Sequence, residues 1–366
     1  MKKGNSMKKR AAIICAYHPA EDDLAETNQS AQRSAGRDAQ FYAVEDKTLS
    51  GPGFNRHRGI VAAEGADVIV IIDAHMRFQG DALKRIISAA RESGSLLVPF
   101  CHHNEQTSFS ANKGHYYAGG RIVYRARDGR EHKPLDAKWA RSDEPGRRGC
   151  VMGACYAFRR DWYMGVAGQP LSILLGWGCD EQALSMAAWM TGRKIEVIGE
   201  HVAHRYRERA PWPFDAHKEC RRVDQNRAAL VYCFASHAGD RRDLLSWGNL
   251  ADPGPDNGPR DRLRLAMLAA PKSWRQWREQ VCEPDELDGR QTAPAPSEEK
   301  PVRICSERIV VPVHGISCPN CRKVYDPRKL PPQVHQYPNG RTSHRCDGCR
   351  NMFMAAPVPA ENNVSC

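Results

Sequence analysis

Short runs of Val, Ile and Ala alternate with amphipathic stretches between Ala11 and Arg207. The strand candidates are Ala11–Tyr17, Phe41–Val44, Val68–Ile72, Ser95–Phe100 and Lys194–Ile198. Helical periodicity lies between them, for example in Asp81–Glu92 and Glu181–Met190. Apolar strands that are separated by helices are typical of a mostly parallel, helix-covered sheet. The pattern therefore predicts an α/β fold.

The pattern changes after this region and divides the chain into four expected parts. The sequence first becomes basic and helical, with Trp247, Trp274 and Trp277 as expected packing anchors. A stretch rich in Pro, Glu, Ala and Ser follows, which is typical of a linker. The expected parts are an α/β domain over residues 1–210, a basic helical extension over 211–282, a linker over 283–301 and a small cysteine-rich domain over 302–366.

Composition excludes a membrane-embedded or wholly disordered chain. Hydrophobic residues make up 41% of the sequence, and the 54 basic against 43 acidic residues give a formal charge of +11. No apolar run approaches the roughly 18 residues that a membrane helix needs. The apolar run Ala11–Ala16 is too short for a signal peptide, and Glu21-Asp22-Asp23 follows where a cleavage site would lie. We expect a cytoplasmic protein without membrane contact.

Four of the fourteen cysteines form two close pairs near the C-terminal end, Cys318 with Cys321 and Cys346 with Cys349. The other ten are scattered singly, which favours a reducing compartment. Two C-x-x-C pairs supply the four thiolates that a tetrahedral structural Zn²⁺ needs, and a unit so poor in apolar residues would hardly fold without it. The spacing predicts a zinc ribbon. Two disulfides or unrelated thiols are the alternatives.

Asp73-Ala74-His75 follows directly on the apolar strand candidate Val68–Ile72. Ligands of open α/β sheets bind at the carboxyl ends of the strands. A carboxylate and an imidazole two residues apart on an extended segment can share one manganese-like divalent ion. On its spacing alone, this motif is more often a strand-end carboxylate beside a surface histidine. Its interpretation as a metal site therefore depends on the other motifs in the sequence.

Further motifs occur in a fixed order around it. They are Ala11–His18, Glu45-Asp46, Arg56-His57-Arg58-Gly59, Gly153–Asp161, Trp177-Gly178-Cys179-Asp180-Glu181 and His201–Arg207. Together with Asp73-Ala74-His75 they resemble the GT-A glycosyltransferases, and among these the polypeptide N-acetylgalactosaminyltransferase-like branch. Two differences from that branch are Asp180, where it carries Glu, and Glu181, where it carries Asn. A lectin-like repeat is absent from the sequence, and the cysteine-rich domain stands in its place.

The resemblance implies a GT-A fold, a nucleotide-sugar donor and a role for each matching residue. Asp73, His75 and His204 are the implied ligands of Mn²⁺ or Mg²⁺. The implied donor-binding residues are His18, Asp46, Arg56, Asp73, Gly153, Trp177 and Arg207. Asp180 and Glu181 are the implied catalytic acids, although either could simply cap the following helix. Trp177 offers an apolar face for a sugar ring, or is a core aromatic.

These expectations describe a metal-dependent hexosyl- or N-acetylhexosaminyltransferase that uses a UDP-sugar and acts on a hydroxyl of a macromolecule. The basic stretches Arg205–Arg227 and Arg260–Arg278 carry aromatic residues and fit a nucleic-acid acceptor, although a solvated basic face has the same composition. A protein or glycan acceptor is equally open. The rival hypothesis is a catalytically inactive protein that binds nucleic acid or a protein partner through the zinc ribbon.

Overall fold

The computed structural model describes residues 10–103, 116–128, 131–141, 145–205 and 216–282, together with five short strands between residues 316 and 355. Contacts divide the chain into two compact units, Met1–Gln291 and Thr292–Cys366. The border between the units falls inside the expected linker. The finer division of the first unit at residue 210 stays a prediction.

Among the described residues of the first unit, ten strands form one sheet. They are β1 (Arg10–Tyr17), β2 (Ala39–Glu45), β3 (Ala66–Ile72), β4 (Met76–Phe78), β5 (Leu96–His103), β6 (Tyr116–Asp128), β7 (Glu131–Arg141), β8 (Gly146–Arg147), β9 (Cys155–Arg159) and β10 (Ile195–His204). Their order is β2-β1-β3-β9-β5-β10-β4, with β6 joined to β5, β7 to β6 and β8 to β10.

The five strands that the sequence predicts, now β1, β2, β3, β5 and β10, are confirmed and run in one direction. β1 is parallel to β2 and β3, and β10 is parallel to β5. β9 lies antiparallel between β3 and β5, so it keeps the two parallel groups in the same orientation. Because these five strands share a direction, their carboxyl ends lie at one edge of the sheet.

Helices connect and cover the strands. They are α1 (Leu24–Ala35), α2 (Pro52–Ala62), α3 (Ala82–Ser93), α4 (Arg160–Gly165), α5 (Asp180–Met190), α6 (Ala216–Phe234), α7 (Ala238–Trp247), α8 (Pro259–Leu268) and α9 (Trp274–Gln280). In α3, Leu83, Ile86, Ile87 and Ala90 recur at helical spacing and are buried, and the helix ends at Gly94 with φ of 63°. None of the described helices combines the length and the apolar character needed to cross a bilayer.

The core surrounds β3, whose residues Val68–Ile72 are all fully buried. A strand that is buried on both faces has no polar side, which explains its unbroken apolar run. Trp274 and Trp277 are buried and stack with ring centroids 5.1 Å apart, so these two anchors are confirmed. Trp247 is half-buried and stacks on His132 at 4.2 Å.

The second unit contains two small antiparallel sheets. Their strands are β11 (Ile316–Ser317), β12 (Val324–Tyr325), β13 (Gln333–Gln336), β14 (Thr342–Arg345) and β15 (Met352–Ala355). β11 pairs with β12, and β14 pairs with both β13 and β15. The four cysteines of the expected zinc ribbon lie outside the described residues, so the ribbon stays a prediction.

Candidate active site

Three predicted metal ligands converge at the carboxyl edge of the sheet. Asp73 follows the last residue of β3, and His204 is the last residue of β10. His75 precedes β4, whose Met76 pairs with His204 across the antiparallel ladder. One ligand atom from each of the three residues lies within 4.8 Å of the others. The topology thus joins residues that are up to 131 positions apart in the chain.

The geometry of this cluster suits a divalent cation. Nε2 of His204 lies 3.2 Å from Oδ2 of Asp73, and the rings of His75 and His204 are 4.6 Å apart. Burial by itself raises the pKa of Asp73. Arg56, His204 and His75 together lower it by more, so the pKa lies below its ordinary value. An ionised carboxylate with two imidazoles is a donor set that manganese-like ions accept. The residues present therefore fit such an ion.

Arg56 connects the metal ligands to the start of α5. It lies on α2, is 4% exposed, and donates from Nη2 to Asp73 and to the carbonyl of Gly153. Its Nη1 donates to Asp180 and lies 3.5 Å from the hydroxyl of Tyr156. A buried guanidinium requires such paired acids because its desolvation is otherwise too costly. Arg56 thus fixes Asp73 and Asp180 relative to each other.

Asp180 and Glu181 begin α5 beside this arginine. Asp180 is buried and pairs with Arg56, and Cys179, at the N-cap position, makes no side-chain cap. Burial and the Asp180 carboxylate raise the pKa of Glu181 well above its ordinary value. A Cβ added at Gly153 would collide with the Glu181 carboxylate, so glycine at this position leaves the space that Glu181 occupies. The two acids therefore have different environments: Asp180 is paired with a cation, whereas burial and the neighbouring carboxylate disfavour the charged form of Glu181.

Trp177 lies on the loop before α5 and is 59% exposed, which excludes the core-aromatic alternative. Gly176, Gly178 and Cys179 have φ of 66°, 93° and 73°, so this loop follows a path that most residues avoid. Asn226 of α6 holds it: the amide nitrogen donates to the carbonyls of Leu175 and Gly178 at 2.9 and 3.0 Å, and Oδ1 accepts from the Leu175 N–H at 2.8 Å.

Two of the expected donor-binding residues lie at the ends of β1 and β2. His18 follows β1, and its Nδ1 accepts from the N–H of Ala20 at 3.1 Å. Asp46 follows β2, and its carboxylate accepts the N–H groups of Ser50 and Gly51 at 2.8 Å each. Asp46 thereby shapes the loop that leads into α2. Arg207, the remaining expected donor contact, lies outside the described residues.

Several residues that hold this site belong to none of the sequence motifs. Glu21 contacts His75, Thr27 binds the backbone of the metal motif, and Asn226 anchors the Trp177 loop. Each of these residues lies between 47 and 54 positions away from its partner in the chain. Only Glu21 left a signal in the sequence, because it begins an acidic run that three residues separate from the strand candidate Ala11–Tyr17.

Comparison with solved structures identifies the fold. The crystal structure of GalNAc-T7 with UDP, GalNAc and Mn²⁺ matches with 14% identity and a TM-score of 0.54, over 76% of this chain and 57% of GalNAc-T7. The chain thus spans little more than half of that protein. Residues 1–349 of S. aureus TarS in complex with UDP-GlcNAc match with 12% identity and a TM-score of 0.39, over 64% of this chain and 70% of that fragment.

The chain has a GT-A glycosyltransferase fold. The GalNAc-T7 match carries this conclusion, and the looser TarS superposition adds nothing to it. No protein-family profile matches the sequence, and no curated protein matches it either.

Proposed function

We propose that the protein is a metal-dependent glycosyltransferase that transfers a sugar from a nucleoside diphosphate to a hydroxyl group. The observation that carries the proposal is the cluster of Asp73, His75 and His204 at the carboxyl edge of a GT-A sheet. GalNAc-T7, which shares the fold, was crystallised with UDP, GalNAc and Mn²⁺. We therefore propose Mn²⁺ or Mg²⁺ as the cofactor and a UDP-sugar, of the hexosyl or N-acetylhexosaminyl class, as the donor.

The chain's own residues divide the work in this mechanism. Asp73, His75 and His204 would hold the divalent ion, which would supply Lewis-acid stabilisation of the diphosphate leaving group. Arg56 keeps Asp73 ionised and fixes its orientation. His18, Asp46 and Arg207 are the proposed contacts to the nucleotide, and Trp177 presents its exposed ring to the sugar.

The two acids of α5 act on hydroxyl groups in this proposal. Asp180, held by Arg56, accepts a hydrogen bond from a hydroxyl. The raised pKa of Glu181 favours its neutral carboxyl group, which can donate a hydrogen bond. Gly153 leaves room for the Glu181 carboxyl group in this arrangement. Unequal proton affinities in neighbouring acids are typical of catalytic pairs.

We propose a macromolecular acceptor, with nucleic acid as the class that the +11 formal charge favours.

We also propose that Cys318, Cys321, Cys346 and Cys349 bind one Zn²⁺. In the sequence the first pair lies between β11 and β12, and the second between β14 and β15, so each pair connects two antiparallel strands. Location in the cytoplasm stays part of the proposal.

Donor cleavage tests the proposed function. The protein is incubated with Mn²⁺ and a panel of nucleotide sugars, and release of the nucleoside diphosphate is measured. We expect release from at least one UDP-sugar, its loss in EDTA, and a fall of at least about a hundredfold in Asp73→Asn, because removing one charged metal ligand weakens both binding and catalysis. Asp81→Asn, at a position where the carboxylate is exposed, is the matched control and should keep full activity.

Full activity of Asp73→Asn, or activity that EDTA does not change, would contradict the assignment of this site. Unfolding midpoints of both variants establish that each is folded.

Adding RNA, DNA, protein and glycan acceptors to the active mixture identifies the acceptor class. Sugar transfer to protein or glycan alone would overturn the proposal of nucleic acid.

A further inference from the structure

The segment between β1 and α1, residues 18–23, contacts the metal cluster from outside it. The Glu21 side chain is 6% exposed, and its Oε1 lies 3.2 Å from Nδ1 of His75. Its other oxygen accepts the N–H of His18 at 2.9 Å, and the N–H of Glu21 returns to the carbonyl of His18 at 2.9 Å. The carboxylate is therefore held by its own turn, independently of the histidine.

Two further contacts fix this segment against the strands that carry the metal ligands. Asp23 accepts two hydrogen bonds from Arg205, the residue after His204, at 3.0 and 3.1 Å. Thr27, fully buried in α1, donates to the carbonyl of Ala74 at 2.7 Å and accepts the N–H of Met76 at 3.1 Å. The backbone on both sides of His75 is thus attached to the same first helix.

A neutral imidazole carries one N–H, and the partner of that N–H decides which nitrogen keeps a lone pair. A carboxylate at Nδ1 of His75 places the proton there and leaves the Nε2 lone pair for a cation. Carboxylate–histidine pairs of this kind orient metal-binding rings and raise their basicity in other metalloproteins. The same contact also restricts rotation of the ring.

We infer that Glu21 is a positioning residue of the metal site, acting through Nδ1 of His75. The inference rests on the proposed function insofar as that function requires an ion at Asp73, His75 and His204. Glu21 is not proposed as a ligand itself. Its loss should therefore weaken metal binding without removing any of the three ligands.

Mn²⁺ titration of the full chain, without any nucleotide sugar, tests this inference. The free ion is measured by its electron paramagnetic resonance signal. We expect Glu21→Gln to raise the dissociation constant of Mn²⁺ by about 10- to 100-fold, the range known for such outer partners. Glu21→Ala should raise it further, because alanine offers no acceptor at all.

Glu26→Gln is the matched control, since it removes the same charge from a nearby exposed position whose partner is Arg77. We expect it to leave Mn²⁺ affinity within about twofold of the intact protein, as an exposed charge pair contributes little. A loss of affinity equal to that of Glu21→Gln would assign the effect to general charge and would overturn the inference.

A double-mutant cycle separates positioning from direct binding. In a His75→Ala background, Glu21→Gln should change Mn²⁺ affinity by less than about twofold, because Glu21 acts only through the ring that has been removed. An undiminished effect in that background would make Glu21 a ligand and contradict the inference. Unfolding midpoints of the metal-free variants show whether a loss of Mn²⁺ affinity arises from misfolding. If Glu21→Ala is misfolded, the conclusion rests on Glu21→Gln alone.

The proposed function can fail separately. A protein that binds Mn²⁺ with the expected dependence on Glu21, but cleaves no nucleotide sugar, would refute the function and support the positioning role. Equal Mn²⁺ affinities of the intact protein and Glu21→Gln would refute the positioning role alone.

Discussion

Arg56 contributes two functions through one buried side chain. Its two terminal nitrogens reach different acids, Asp73 on the metal side and Asp180 at the start of α5. A lysine could not replace it, because an ammonium group lacks the planar fork that contacts two carboxylates at fixed directions. A single residue therefore links the metal ligands to the proposed catalytic acids.

His57, the next residue of α2, makes stability depend on pH. Burial and the charge of Arg262 lower the pKa of His57 to about 4, whereas a histidine of the unfolded chain titrates near 6.5. Between these values the unfolded state binds more protons than the folded state. The contribution of His57 is therefore complete above pH 6.5 and is lost as the pH falls towards 4, by up to about 1.4 kcal/mol per pH unit.

Chemical unfolding at several pH values measures this dependence. His57→Gln should flatten the fall in the free energy of unfolding between pH 6.5 and 4, whereas His237→Gln, at an exposed position of the chain, should not. Burial and His201 also lower the pKa of His102 to about 4. The free energy of unfolding of His57→Gln should therefore still fall somewhat between pH 6.5 and 4. Identical slopes for the intact protein and His57→Gln would contradict the prediction.

At the scale of elements, the sequence predicted the parallel strands and missed the antiparallel ones. β3 could be predicted because Val68–Ile72 is an unbroken apolar run before the metal motif. Cys155–Arg159, the strand β9, is short and lies within the motif Gly153–Asp161, which is interpreted by its resemblance and not as a strand. Its insertion between β3 and β5 depends on long-range pairing, which local periodicity does not record.

The same distinction separates the site residues that could be predicted from those that could not. Asp73, His75 and His204 belong to motifs that the resemblance identifies, and the structure brings them together. Asn226 lies outside any such motif, on a helix that the sequence marked only as basic. Its role depends on the packing of α6 against a loop 51 residues earlier in the chain.

Asn226 should accordingly be important for both stability and the shape of the Trp177 loop. Asn226→Ala removes a buried amide that serves Leu175, Trp177 and Gly178. A buried backbone group that loses its partner costs about 1–3 kcal/mol, so we expect the free energy of unfolding to fall by about 2–4 kcal/mol. Denaturant titration measures this change.

Gln225→Ala provides the control on the same helix, because Gln225 is exposed. A substitution at such a surface position should change the free energy of unfolding by no more than about 0.5 kcal/mol. If the two variants had equal stability, the Asn226 side chain would not hold the loop.

The molecule as a whole separates its proposed chemistry from its proposed zinc site. Every described residue that contributes to the metal cluster lies in the first compact unit, whereas the four paired cysteines belong to the second, Thr292–Cys366. A small unit with few apolar residues gains little free energy from burial alone, and a structural metal commonly supplies the difference. The two metals should therefore be lost independently.

We predict one tightly bound Zn²⁺ per chain at Cys318, Cys321, Cys346 and Cys349. Four thiolates complete a tetrahedral shell, and losing one ligand leaves an open position that weakens the site. Elemental analysis of the purified full chain should give about one zinc per molecule, and Cys318→Ser should lower this ratio. Cys366→Ser, outside both pairs, and Asp73→Asn, in the first unit, should leave it unchanged. Zinc that persists in Cys318→Ser but disappears in Asp73→Asn would assign the bound zinc to the catalytic cluster and leave the tail without its proposed metal.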